Sequence, residues 1–176
     1  SAKELTQFAA LAAAAQASQA NVTKLSLDLT TAKATVAKLA ADLPALQTAQ
    51  TVAQRANEEA TAAQVAAKQT VDAKLAAMKE FVEVLAKAQA ASAKLPQDAE
   101  LAATTLKLKT RGDQLTAEVA EAQKILTAKD EAMKAAVAQF TTATASVTAN
   151  IAQATALTQQ IPALEAAQAP AVCTHP

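Results

Sequence analysis

The residues of this sequence that could do chemistry include a cysteine and a histidine close to each other. Cys173 and His175 are two residues apart, and the chain has no other cysteine or histidine. A thiolate and an imidazole both bind zinc or copper, and a Cys–His pair can act as a nucleophile in a rigid pocket. Two ligands on a proline-flanked segment do not complete a metal site. We therefore predict neither a metal centre nor a catalytic pair here.

Two pairs of adjacent carboxylates are the next candidates. Glu58 is followed by Glu59, and Asp130 by Glu131. Paired carboxylates do acid–base chemistry when a cleft shifts the pKa of one of them. Both pairs fall in alanine-rich sequence that is typical of helix surfaces, so we interpret them as solvated charges.

A short basic cluster consists of Lys107, Lys109 and Arg111. At a spacing of two, these side chains spread around a helix and form no single phosphate-binding face. The chain carries 16 basic and 16 acidic residues, whereas nucleic-acid binders usually show a basic excess. The sequence also lacks a glycine-rich phosphate loop and a serine nucleophile elbow. We predict a protein that is not an enzyme and that has no catalytic, cofactor-binding or metal-binding residue, no cofactor, no nucleic-acid partner and no small-molecule substrate.

The composition indicates which elements carry these residues. Fifty-three of the 176 residues are alanine, whereas glycine occurs once and proline five times. Alanine, leucine, lysine and glutamine favour helix, and so few turn-forming residues exclude an ordinary β protein. No run of 18 apolar residues occurs, so we predict no transmembrane segment.

Two long heptad repeats predict the packed faces of the helices. The first covers residues 2–43 and the second covers residues 98–161. Lys129 and Asn150 are polar exceptions within the second repeat. We interpret both as residues that set the register or extend their polar ends to water.

The region between the two repeats has a different apolar pattern. An alanine stripe runs from Ala49 to Ala67, and larger apolar residues follow from Val71 to Leu85. The spacing of 67, 71 and 75 contains two successive steps of four residues. This spacing predicts a stutter that locally relaxes the supercoil.

The prolines predict where the chain reverses. A hairpin at Pro96 pairs residues whose numbers sum to about 192, which places Gly112 opposite Phe81 and large residues opposite the alanine stripe. A second reversal at Pro44 would bring Phe8 to the same layer. If the chain does not reverse at Pro44, that residue instead kinks one continuous helix.

We therefore predict an all-α fold, an elongated antiparallel three-helix bundle or coiled coil. The alternative is a long two-helix antiparallel coiled-coil hairpin that is kinked at Pro44. The predicted single domain covers residues 1–168, and residues 169–176 form a loose tail. The predicted helices cover residues of about 2–43, 45–93 and 98–161.

An internal echo and the Pro96 segment carry a resemblance to a known class of proteins. Residues 42–50 are similar to residues 160–168, and residues 93–101 surround Pro96. The chain resembles the alanine-rich coiled-coil stretches of large bacterial proteins that also carry a cytochrome c-like domain and WD-repeat propellers. Their haem signature has two cysteines before a histidine, whereas Cys173-Thr174-His175 offers one, so no haem function is implied. The resemblance implies a spacer between functional domains outside the cytoplasm.

Three functions are compatible with these patterns. The first is a structural or spacer coiled coil within a larger protein. The second is a helical protein–protein interaction module that uses the alanine seam or the threonine-rich segment 141–158. The third is a set of amphipathic helices that bind a surface or a lipid. The partners expected are other domains of the parent protein or a second copy of the chain, and the residues alone leave the compartment open.

Overall fold

The chain folds into two long α-helices. The computed structural model describes residues 2–172, with α1 at Ala2–Lys94 and α2 at Ala99–Val172. No strand occurs among these residues. The helix-forming composition therefore determines the secondary structure almost alone, and the predicted all-α class is confirmed.

The connection between the helices is a tight turn at residues 95–98. The amide of Asp98 donates to the carbonyl of Leu95 at 3.1 Å, and the Asp98 carboxylate accepts from the amide of Leu101 at 2.9 Å. Asp98 is therefore the N-cap of α2, because its side chain satisfies an amide that has no partner within the helix. Pro96 lies inside this turn. The reversal predicted at Pro96 is confirmed.

The chain divides into two compact units. Among the described residues, unit 1 comprises 2–51 and 142–172, and unit 2 comprises 52–141. Unit 2 is a helical hairpin closed by the turn at 95–98. Within unit 1, the α1 and α2 segments also run antiparallel, because contacts join Gln50 to Thr144 and Lys33 to Glu165.

The predicted reversal at Pro44 is wrong, and the three-helix arrangement is not confirmed. α1 continues through Pro44 without a break, so the hairpin of two helices fits instead. A proline inside a helix removes one backbone hydrogen bond and costs about 3 kcal/mol. The packed positions Leu43 and Leu46 keep their heptad phase across it, and the packing on α2 offsets that cost. Phe8, which was predicted to be in a buried layer, is 76 % exposed.

The second helix also continues past its predicted end. α2 passes through Pro162 and extends to Val172, eleven residues beyond position 161. Part of the segment predicted as a loose tail is therefore helical. The remainder of that tail, residues 173–176, lies outside the described residues.

The packed face of α1 follows one heptad phase from Val22 to Ser92. Val71 is buried, Lys74 is half-buried and Leu75 is exposed. After Ala67, the next residues of the packed face are therefore Val71, four residues later, and Lys74, three residues after that. The predicted stutter, which required Leu75 at this position, is wrong. The core it forms is thin, and its members are small. The buried apolar residues are Ala32, Val71, Val119, Ala122, Ala136 and Val147.

Most threonine hydroxyls bond to the backbone of their own helix. Each donates to the carbonyl oxygen four residues earlier, as Thr30 does to Ser26 at 2.8 Å and Thr158 does to Ala154 at 2.7 Å. This bond satisfies the hydroxyl within the helix.

Neither helix, over the residues that the structure describes, has a stretch that is long and apolar enough to cross a membrane.

Candidate functional site in the helix seam

The carboxylate pairs singled out in the sequence are used in structural bonds. Glu58 accepts a hydrogen bond from Gln54 of its own helix at 3.0 Å. Glu131 pairs with Lys134 at 2.8 Å, and this carboxylate raises the pKa of Lys134. The Asp130 carboxylate accepts from Gln64 of the opposite helix at 2.9 Å. Each pair therefore contains at least one carboxylate that supports a helix or joins the two helices.

The basic cluster lies on the exposed surface of α2. Lys107, Lys109 and Arg111 are all exposed, and Arg111 pairs with Glu118 at 2.9 Å. The other two sequence candidates, Cys173 and His175, lie outside the described residues. Within residues 2–172, no three metal-ligating side chains come together.

The most distinctive feature of the seam, which is the interface between α1 and α2, is a row of polar residues on α1. Gln50, Asn57 and Gln64 are seven residues apart and half-buried on the packed face. Gln50 donates to the Thr144 hydroxyl at 3.1 Å in unit 1. Gln64 donates to Asp130 in unit 2. These bonds cross between the helices, so each one fixes which residues of α2 lie opposite it.

Asn57 differs from its two neighbours in the row. Its Oδ1 atom is buried and has no hydrogen-bond partner. The register of unit 2 places it opposite Ala136, whose methyl group can offer no hydrogen bond. An unsatisfied buried amide costs stability, so Asn57 is a weak point of the seam.

A charged network reinforces the same seam in unit 2. The Glu118 carboxylate accepts from Lys74 on α1 at 3.0 Å and from Arg111 on α2 at 2.9 Å. These hydrogen bonds, from Lys74 first and then from Arg111, lower the pKa of Glu118 below its ordinary value of 4.5. All three side chains are partly exposed, so the network contributes more to register than to stability.

Asn150 has the equivalent role in unit 1. It is the buried polar residue of the core at 7 % exposure, and its Nδ2 donates to the Leu39 carbonyl at 3.2 Å. Lys129, the other predicted polar exception, is exposed, and the adjacent Asp130 makes the contact across the seam.

The single glycine meets a large ring, as the hairpin register predicts. A Cβ atom added to Gly112 would lie 3.2 Å from Cε1 of Phe81 and 3.7 Å from Cδ2 of Leu85. Gly112 and Phe81 sum to 193, as do Thr105 and Ala88, which are joined at 3.4 Å. The predicted pairing near 192 is therefore confirmed for unit 2. By this register, Ala60 lies opposite Met133, and both residues are half-buried.

Sequence reasoning missed the polar row on α1 because it followed apolar residues only. The stripe from Ala49 to Ala67 was treated as a separate pattern with its own phase. Extension of the first heptad past Pro44 in unbroken steps of seven leads from Leu43 to Gln50, Asn57 and Gln64. That continuity was the signal that could have found the row.

Comparisons of this chain with protein-family models, with curated proteins and with solved structures find no match.

Proposed function

We propose that this chain is a non-catalytic structural coiled coil that acts as a spacer within a larger protein. The observation that carries the proposal is the single heptad phase of α1, whose polar row bonds across to α2 in both units. Bonds of this kind select one register and disfavour sliding of the helices. A spacer needs helices that keep both their length and their alignment, because these two quantities fix the positions of the groups attached to them.

The carboxylates support the same proposal. Asp130 and Glu118 are the two that a sequence or pKa argument would favour for chemistry, and both join α1 to α2. Their side chains are therefore used to hold the hairpin of unit 2. The resemblance to spacer stretches of large bacterial proteins is consistent with this role, and it implies a location outside the cytoplasm.

Distance measurements within unit 2 test the proposal. Spin labels at Ala62→Cys and Ala93→Cys, with Cys173→Ser to remove the native thiol, lie 31 residues apart on α1. At 1.5 Å per residue they should give one narrow distance distribution near about 47 Å. A broad distribution, or one that shortens when the hairpin is placed between two fusion partners, contradicts a spacer role.

The alternative function, an interaction module that offers its alanine seam to a partner helix, requires α2 to leave that seam. Ala60→Leu distinguishes the two functions, because Ala60 lies on the seam opposite Met133. If α2 fills the seam in solution, the larger side chain overpacks it and should lower stability by about 1–3 kcal/mol. The matched control is Ala62→Leu on the exposed face of the same turn, which should be within about 0.5 kcal/mol of the parent protein. Equal tolerance of both variants would favour the open seam.

A further inference from the structure

The seam of unit 2 is packed differently in two parts. The inner part, next to the turn, consists of residues 71–92 of α1 and 101–122 of α2, and the outer part consists of residues 53–67 and 126–140. In the register of unit 2, the numbers of residues that face each other sum to 193. This sum identifies the layers of each part, which are the pairs of facing residues.

The inner part has large apolar side chains on both helices. Met78 lies opposite Leu115, Leu85 lies opposite Leu108, and all four residues are half-buried. Lys74 adds an ion pair that crosses the seam at 3.0 Å. Because both helices remove large apolar surface from water in these layers, closure of the inner part is strongly favoured.

The outer part has large side chains on one helix only. Each of its three apolar layers joins an alanine of α1 to one larger residue of α2, and all six residues are half-buried. These layers are Ala53 with Phe140, Ala60 with Met133 and Ala67 with Leu126. Polar layers at Asn57 and Gln64 separate the three from one another. Each layer therefore removes less apolar surface from water than the large pairs of the inner part do.

Asn57 weakens the outer part further. Its Oδ1 atom is buried without a hydrogen-bond partner when the seam is closed, whereas water can bond to this atom when the seam is open. An unsatisfied buried oxygen therefore favours separation of the helices at this layer. Gln64 differs, because its amide bonds to Asp130 at 2.9 Å in the closed seam.

We propose that the outer part of unit 2 opens locally, with α1 leaving α2 around Asn57 while the inner part stays closed. Proteins open in cooperative units of this kind where one part of the structure is less stable than the rest. The turn and the ion pair of Lys74 hold the register during the opening, so the seam closes again with the same layers. This conformational device exposes the alanine face of α1 transiently, and it operates with or without a spacer role.

Thiol labelling tests the opening, because a buried cysteine reacts only when the seam around it opens. In a Cys173→Ser background, Ala136→Cys reports on the outer part and Ala122→Cys is its matched control in the inner part. The two alanines occupy the same heptad position of α2 and are 8 % and 6 % exposed. Under native conditions, the thiol of Ala136→Cys should react at least about tenfold faster with a thiol reagent. Equal rates in the two variants overturn the proposal.

Asn57→Leu tests the cause of the opening. It should slow the labelling of Ala136→Cys about tenfold, because it removes the oxygen that favours the open state, and it should leave the labelling of Ala122→Cys unchanged. Ala62→Leu, on the exposed face of α1, is the control for an added leucine and should change neither rate. Equal slowing of both thiols would show one global transition, and unchanged labelling of Ala136→Cys would show that Asn57 does not promote opening. Either result overturns the proposal.

Amide hydrogen exchange of the parent chain repeats the comparison without added cysteines. A helical segment that has left its partner helix is only marginally stable in water, so its amides exchange. Relative to their intrinsic rates, amides of residues 126–140 should exchange at least about tenfold faster than those of residues 108–122. Equal protection of the two segments, or stronger protection of 126–140, contradicts a local opening of the outer part.

Discussion

Substitution of the only glycine by leucine tests the packing of unit 2 most directly. On an exposed helix face, Gly112→Leu would stabilise by up to about 1 kcal/mol, because leucine is the better helix former. Here the new Cβ alone would lie 3.2 Å from the Phe81 ring and 3.7 Å from Leu85, and three further carbon atoms would follow. Overpacking of this kind costs about 1–3 kcal/mol. Phe81 is only half-buried and its ring can move towards water, so we expect a net loss of about 1 kcal/mol, or about 2–4 °C in Tm.

Thermal melting followed by circular dichroism measures this effect. The free energy of unfolding of Gly112→Ala should stay within about 0.5 kcal/mol of that of the parent protein, because the higher helix propensity of alanine offsets the one close contact of its Cβ. Ala120→Leu on the exposed face of α2 is the matched control for adding a leucine and should change Tm little. Phe81→Ala should partly rescue Gly112→Leu, with a coupling energy of about 0.5–3 kcal/mol in a double-mutant cycle. A rise in Tm for Gly112→Leu, or strict additivity with Phe81→Ala, would refute the register.

Four other substitutions test separate parts of the structure, each by its Tm. Pro44→Ala should stabilise by up to about 3 kcal/mol, because alanine restores a helical hydrogen bond; a loss of stability would indicate a turn at this residue. Asn57→Leu should raise Tm, because it removes a buried oxygen that has no partner, whereas Asn150→Leu should lower Tm, because it leaves the bond to the α1 backbone unmade. Glu118→Gln should lower Tm at pH 7, and this difference in Tm should disappear in acid. The pKa of Glu118 is lowered in the folded protein. The stabilisation that its carboxylate provides is therefore present above the pKa of the unfolded state and is lost as the pH falls through the pKa of the folded state.

The parts of the fold that local chemistry determines were predictable from the sequence. Helix propensity is a local property, and Pro96 interrupts two long helix-forming stretches, which marks the turn from residue types alone. The pairing of Gly112 with Phe81 then followed from the position of the turn, because an antiparallel register depends only on where the chain reverses. These predictions needed no knowledge of long-range packing.

The errors arose where two local rules compete. Pro44 can begin a helix or interrupt one, and only packing on the opposite helix decides which occurs. The other error was the predicted stutter. It arose because hydrophobicity favours Leu75 over Lys74 as the residue that packs in the seam. The structure places Lys74 there because Glu118 on α2 satisfies its ammonium group while its methylenes pack. The residue on the opposite helix therefore decides whether Lys74 or Leu75 packs in the seam, and the sequence of α1 alone does not contain that information.

The paired register of unit 2 also limits how the hairpin can change in length. A residue added to one helix shifts every layer beyond it, so small residues would meet small ones and Phe81 would lose Gly112. A change that preserves the layers must remove or add seven residues at matching depths of both helices, equally far from the turn. Any lengthening or shortening of such a hairpin during evolution is therefore expected in steps of fourteen residues, about 10 Å at a time.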